Sequence, residues 1–241
     1  MLASMRVIVF ASQKGGSGKT TLSGHIAVEA GRAGAGPVAL IDTDPQGSLA
    51  KWWNVRQDPQ PAFIQSVFSN LFQDLDRARD EGFKLVVIDT PPAVTRAISE
   101  VVGFADLVVA PTRPSPHDLR AVGPTVDIAQ ARNKPLVFVV NGATPKSRIT
   151  SEAAIALSQH GTVAPTVIHH RVDYAASMID GRTVMEIDPY CKSAQEVSEL
   201  WQYLDRRLKR AEGGYRQGEE PAGAAQIAAQ NNRVFGRRAA Q

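Results

Sequence analysis

The chain has 241 residues, 43% of them hydrophobic and 21% charged, with a formal net charge of +3. This composition is that of a soluble globular protein with room for one large domain or two small ones, and no apolar run reaches the roughly 18–20 residues that span a bilayer. The single cysteine, Cys191, excludes an intramolecular disulfide framework and suits a reducing cytoplasm, while the small positive charge permits a polyanionic partner without requiring one.

Met1–Met5 is too short for the apolar region of a signal peptide and leads directly into a strand. In chain order, Arg6–Ala11, Val38–Asp42, Leu85–Asp89, Leu107–Ala110 and Leu136–Asn141 are continuously apolar instead of alternating. A parallel sheet covered on both faces requires such strands. Helices are predicted between and after them, over Lys19–Ala33, Ser69–Arg79, Pro116–Ala131 and Ile149–Gln159. Connections of this length between parallel strands are crossover helices, so the expected fold is doubly wound α/β, with helices on both faces of a mostly parallel sheet. A last helix, Ala194–Arg210, places Val197, Leu200, Trp201, Leu204 and Leu208 on one face. The reading is one domain over residues 1–210 and a flexible tail over 211–241, which is rich in Gly, Ala, Gln and Glu without periodicity. There is no internal repeat.

Between the first strand and its helix stands Gln13-Lys-Gly-Gly-Ser-Gly-Lys-Thr-Thr21. Gly15, Gly16 and Gly18 let the backbone curl until successive N–H groups converge, which makes a nest for phosphate oxygens. The helix that starts near Lys19 adds the positive end of its dipole. Lys19 is placed to reach β- and γ-phosphates, and the Thr20 hydroxyl to bind Mg²⁺. A glycine turn before a helix cap is the plain alternative, and Lys-Thr-Thr at this spacing straight after a strand argues against it.

Gln13 occupies the place of the first glycine of the standard G-x-x-x-x-G-K-[ST] loop, and an extra lysine, Lys14, precedes the Gly-Gly pair. This K-G-G-x-G-K-T-T form resembles the deviant Walker A family of P-loop ATPases: the ParA and Soj partition ATPases, MinD and metabolic relatives. The resemblance covers about residues 6–210. It implies that Lys14, Gly15, Gly16, Ser17, Gly18, Lys19, Thr20 and Thr21 hold ATP with Mg²⁺. It also implies a homodimer with ATP sandwiched between subunits, Lys14 crossing to the other subunit's nucleotide. The sequence without the resemblance shows only a spare cation one step from a phosphate nest.

Ligands in open α/β sheets gather at the carboxyl ends of strands, so Asp42 and Asp44, at the end of the second strand, should project towards the phosphates. Asp44-Pro-Gln46 matches the ParA signature, which implies that Asp44 positions the attacking water and joins Lys14 and Lys19 in catalysis. Asp42 is assigned a supporting role towards Mg²⁺. Asp-Pro is equally a common signal for a strand-ending turn. Leu85–Asp89 reads as a Walker B strand whose Asp89 holds Mg²⁺ through water, and Thr90-Pro-Pro92 begins a switch-like loop. Asn141, which ends its strand, resembles the family's base-contacting asparagine; it is also a good turn residue.

Relatives that bridge an iron–sulfur cluster need two cysteines per subunit, which this chain lacks. Tyrosine kinases of similar fold carry a tyrosine-rich tail, whereas Tyr215 stands alone here. Gln226–Arg238 offers one Phe, one Val and one Ile, too little apolar area for a membrane anchor of the MinD type. The remaining branch is the DNA-segregating one, in its short form without an N-terminal winged helix. Its members bind DNA non-specifically through basic residues late in the fold. His169–Met178 and Ile187–Ala194 resemble that region, with Lys192 at the position of a DNA-contacting lysine or arginine and Arg171, Arg206 and Arg207 able to widen the patch. A solvated basic helix end is the bland reading of the last two. His169-His170 reads as a loop pair, not a zinc site.

The expected function is therefore an ATPase switch with slow intrinsic turnover, cytoplasmic and associated with the nucleoid. It would dimerise on ATP, bind DNA and position or segregate a plasmid, a chromosome or a protein complex. A ParB-like or cargo-adaptor protein would stimulate hydrolysis, and no membrane is involved. A MinD-like membrane-associated regulator and a metabolic ATP-dependent ligase of the same fold are the alternatives.

Overall fold

The computed structural model describes residues 5–93 and 95–214, the side chains of 211–214 excepted. The chain divides into two units, Met1–Leu208 and Lys209–Gln241. The elements begin with β1 (Arg6–Phe10), α1 (Lys19–Arg32), β2 (Val38–Asp42), α2 (Ser48–Asn54), β3 (Ala62–Phe63) and α3 (Leu71–Asp80). They continue with β4 (Leu85–Asp89), α4 (Arg96–Gly103), β5 (Leu107–Thr112), α5 (Pro116–Arg120), α6 (Gly123–Ala131) and β6 (Leu136–Ala143). Last come α7 (Arg148–Ser158), β7 (Thr162–Val163), β8 (Ile168–His169), α8 (Val172–Ser177), a 3-10 turn at Met178–Asp180, α9 (Val184–Ile187) and α10 (Lys192–Gly214).

The strands lie in the order β3-β2-β4-β1-β5-β6-β7, with β8 also paired to β6. Every strand pair among the described residues is parallel. Both faces of this sheet are covered, which is why the strands read as unbroken apolar runs. Successive residues of β1 divide between the two layers as the pleat requires. Ile8 and Phe10 pack with Leu22 and Ile26 of α1 and with Val197, Leu200 and Leu204 of α10. Val7 and Val9 pack with Leu71 and Leu75 of α3 and with Ile98 and Val101 of α4.

Register then places the chemistry. Asp42 lies beside Asp89 across β2 and β4, and Phe10 beside Asp89 across β1 and β4. The three strands therefore end level, and the segments that leave them emerge at one edge of the sheet. The Thr90 hydroxyl donates to the Phe10 carbonyl at 2.8 Å and the Thr43 hydroxyl to the Asp89 carbonyl at 2.8 Å, which ties these ends together.

Some elements differ from expectation. The single helix expected over Pro116–Ala131 is two, α5 and α6, because Pro124 at the start of α6 has no N–H to donate back to Arg120. The last helix starts two residues earlier than predicted, at Lys192, and runs past Arg210 to Gly214. The tail expected from residue 211 otherwise lies outside the described residues. Helix α2 was not foreseen, because its N-terminal cap comes from outside the local sequence: Oδ2 of Asp42 accepts from the N–H groups of Leu49 and Ala50, each at 3.0 Å. Helix α4 carries a local signal, the Thr95 side chain accepting from the Ile98 N–H at 3.3 Å.

Candidate nucleotide-binding site

The loop between β1 and α1 has the backbone its glycines predict. Gly16 has φ +71° and Gly18 φ +100°, left-handed conformations that any residue with a Cβ adopts at a cost. Gly18 is also the N-cap of α1 and is pressed from above. A Cβ placed there would come within 2.1 Å of the Asn141 side-chain nitrogen. That nitrogen, Nδ2, donates to the Ser17 carbonyl at 2.6 Å, so the end of β6 clasps the loop. The Ser17 hydroxyl is buried without a hydrogen-bond partner among the described residues. The curled backbone that runs through left-handed Gly16 and Gly18 into the start of α1 fits an oxyanion such as phosphate.

Lys19 is buried, and its Nζ donates to the Lys14 carbonyl at 3.3 Å. Burial lowers its pKa, against the opposing pull of Asp89 and Asp44. A cation in a confined, weakly solvated position, bonded to a backbone carbonyl and not neutralised by an ion pair among the described residues, is poised for an anionic ligand. Lys14 is exposed, and its ammonium has no partner among the described residues.

The Thr20 hydroxyl donates to Oδ2 of Asp89 at 2.6 Å, and the Ser23 hydroxyl lies 3.4 Å from Oδ1. Asp89 is wholly buried, and burial pushes its carboxyl up to about 7; the Thr20 hydroxyl and Lys19 oppose the shift, and Asp42 and Asp44 add to it. A carboxylate this poorly solvated gains from a divalent cation. The Thr20–Asp89 pair, drawn from α1 and β4, thus offers the oxygen donors a hard cation takes.

Asp42 stands apart from the expectation. Its Oδ1 accepts from the Asp44 N–H at 2.9 Å and its Oδ2 holds the start of α2, so both oxygens are engaged with backbone. Asp44 is half-buried, and its Oδ1 accepts from the Gln46 N–H at 2.9 Å. It faces an open cleft of about 350 Å³ with Gly15, Lys19, Thr20 and Pro92. A larger cavity of about 590 Å³, between the end of α1 and the start of β2, has none of these groups.

The basic residues predicted as a DNA face separate into two kinds. Arg171 donates to Oε1 of Glu196 at 2.7 Å, and the same carboxylate holds His169 Nδ1 at 2.7 Å and the Tyr174 hydroxyl at 3.0 Å. Its charge is largely spent inside the fold. Lys192 is exposed and is the first residue of α10, where the helix dipole adds to its positive charge. Arg206 and Arg207 follow on the same helix, about 21 Å further along at 1.5 Å per residue, Arg206 exposed and Arg207 half-exposed.

Sequence reasoning overlooked Arg113, which lines the 350 Å³ cleft. The predicted strand ended at Ala110, whereas β5 continues through Pro111 and Thr112. Arg113 is thus the residue immediately after a strand's carboxyl end, the signal by which it could have been found.

A family model for the CobQ/CobB/MinD/ParA nucleotide binding domain matches residues 8–184. The chain belongs to this family. Maintenance of carboxysome distribution protein A of Halothiobacillus neapolitanus is 30% identical to it over 204 residues, covering 80% of this chain and 93% of that protein. The chromosome-partitioning ATPase Soj of Thermus thermophilus is 27% identical, covering 87% of this chain and 99% of that one. Among solved structures, the septum site-determining protein MinD of Pyrococcus horikoshii, complexed with Mg-ADP, superposes with a TM-score of 0.70 at 16% identity, covering 86% of this chain and 98% of that chain. The P-loop fold of this nucleotide-binding family is the one the sequence led us to expect. No helix among the described residues is long and apolar enough to cross a membrane.

Proposed function

We propose that this protein is an ATP-driven positioning switch of the ParA type, an ATPase that dimerises on ATP, binds DNA without sequence preference and moves a cargo. The observation that carries the reading is the convergence of Lys19, Thr20 and Asp44 on one cleft at the glycine loop, with the buried Asp89 bonded to Thr20 directly behind it. Similarity to a protein named for carboxysome distribution, over nearly the whole of that protein, favours positioning of a cargo over small-molecule ligation.

In this reading the loop N–H groups and Lys19 bind the phosphates of ATP, and Asn141 keeps the loop in its binding shape. Thr20 and Asp89 hold Mg²⁺, which when bound neutralises charge on the phosphate oxygens. Asp44 orients the attacking water. Lys14, exposed and with its ammonium unpartnered among the described residues, reaches the phosphates bound by a second copy of the chain. Lys192, with Arg206 and Arg207 in support, contacts DNA phosphates. A partner protein that stimulates hydrolysis returns the dimer to monomers and releases the DNA.

Light scattering with ATP and Mg²⁺ tests the dimer. The Asp44→Ala protein, slowed in hydrolysis, should double in mass on adding ATP, and Lys14→Ala in that background should remain monomeric while still binding ATP. A Lys14→Ala protein that dimerises normally overturns the sandwich; an Asp44→Ala protein that binds no ATP overturns the reading as a whole.

A further inference from the structure

Arg113 is exposed and lines the cleft beside the glycine loop, and its guanidinium has no hydrogen-bond or ion-pair partner among the described residues. Its side chain lies over Gly142, where a Cβ would be 3.7 Å from both Cγ and Nε. Gly142 directly follows Asn141, the residue that clasps the loop at Ser17 and Gly18. Arg113 therefore flanks the end of the loop that runs into α1, where loop N–H groups of this motif cradle α- and β-phosphates.

The strand order decides which phosphates it can serve. With β2-β4-β1-β5 side by side, Asp44 after β2 and Pro92 after β4 stand on one flank of the loop, and Arg113 after β5 stands on the other. The water-orienting carboxylate and the arginine thus approach the bound phosphates from opposite sides. Resting on the nucleotide-binding reading above, we infer that Arg113 is a binding residue for the α- and β-phosphates, holding nucleotide before and after hydrolysis alike. A guanidinium fork suits two non-bridging phosphate oxygens at once. An interaction equally strong in ground and transition states lowers KM and leaves kcat alone.

Titration with a fluorescent ADP analogue, and displacement of it by ATP, ADP or inorganic pyrophosphate, tests this in wild type, Arg113→Gln and Arg113→Lys. The expected result for Arg113→Gln is about a tenfold loss, roughly 1.4 kcal/mol, for all three ligands. Its KM should rise with kcat within about twofold, and the lysine variant should recover part of the affinity. Thermal unfolding without nucleotide should match wild type, since Arg113 is exposed and its guanidinium has no partner among the described residues. A loss confined to ATP would mean a γ-phosphate contact, a loss for ADP but not pyrophosphate would mean a base contact, and either overturns the inference, as does unchanged affinity. Wild-type protein that binds none of these ligands would instead overturn the nucleotide reading beneath it.

Discussion

The Asn141 side-chain nitrogen sits 2.6 Å from the Ser17 carbonyl, joining residues 124 positions apart in the chain. This bond holds the phosphate loop at the end that runs into its helix, one residue before the N-cap Gly18. Asn141→Ala should therefore loosen the loop and weaken ATP binding by about tenfold, the equivalent of a hydrogen bond worth about 1–1.5 kcal/mol. Gly18→Ala should do worse, since it meets both the Asn141 side chain and a left-handed φ of +100°. The double variant relieves the collision and not the backbone strain, so it should bind no better than Asn141→Ala alone. Calorimetry with ATP separates the three, and full affinity in Asn141→Ala would remove the clasp from the argument.

Asp44→Ala should bind ATP with near-normal affinity and fail to hydrolyse it. The carboxylate is asked only to orient water, and its Oδ1 is bonded to the Gln46 N–H, not to the loop backbone. Phosphate release is the readout, with an expected fall in turnover of about a hundredfold or more, in the range of general acid–base contributions. Normal turnover would move the role to another carboxylate, Asp89 first.

His25 gives a pH dependence of stability that has nothing to do with turnover. It is fully buried in α1, donating from Nδ1 to the Thr21 carbonyl at 2.8 Å and accepting at Nε2 from the Val184 N–H at 3.3 Å. Burial lowers its pKa from 6.5 to about 4. Between those values the unfolded chain binds a proton that the folded chain refuses, so stability rises with pH across this window. It is complete above about pH 6.5 and falls as the pH drops, by about 2 kcal/mol at pH 5 and about 3 kcal/mol near pH 4. Urea unfolding at pH 7.5 and pH 5 should show this loss in wild type and a clearly smaller one in His25→Gln. Equal losses in the two proteins would show that other groups carry the acid sensitivity.

Lys192→Glu should leave ATP-dependent dimerisation intact and weaken DNA binding at least tenfold. Counterion release gives a slope of about −0.9 per phosphate contact, so a dimer with about four contacts loses about a hundredfold in affinity between 50 and 200 mM salt. Arg171→Ala should act differently, costing stability by leaving Glu196 and its partners rearranged, because Arg171 is ion-paired at 2.7 Å. Fluorescence anisotropy with DNA of unrelated sequences distinguishes the two. If truncation after Arg210 abolishes binding while Lys192→Glu binds normally, the folded patch is not the DNA face.

What the sequence alone determined about this protein is what depends on neighbours along the chain. The glycine spacing, Lys19 and Thr20 lie within one turn of backbone, and a strand that ends in Asp89 carries its carboxylate to the sheet edge whatever surrounds it. The apolar runs declared a sheet buried on both faces, and with it the edge where ligands gather. Only the tertiary structure decided how residues far apart divide the polar work. Asp42 and Asp44 look alike two positions apart, yet the fold brings the start of α2 back onto Asp42, whose carboxylate accepts from its N–H groups, and leaves Asp44 facing the cleft. Arg171 and Lys192 look equally basic, yet Glu196 on α10 takes the charge of one and leaves the other in solvent. Arg113 showed no motif at all, because its place beside the loop follows from the order of strands across the sheet, and hydrophobic patterning along a chain sets the faces of strands without setting their order.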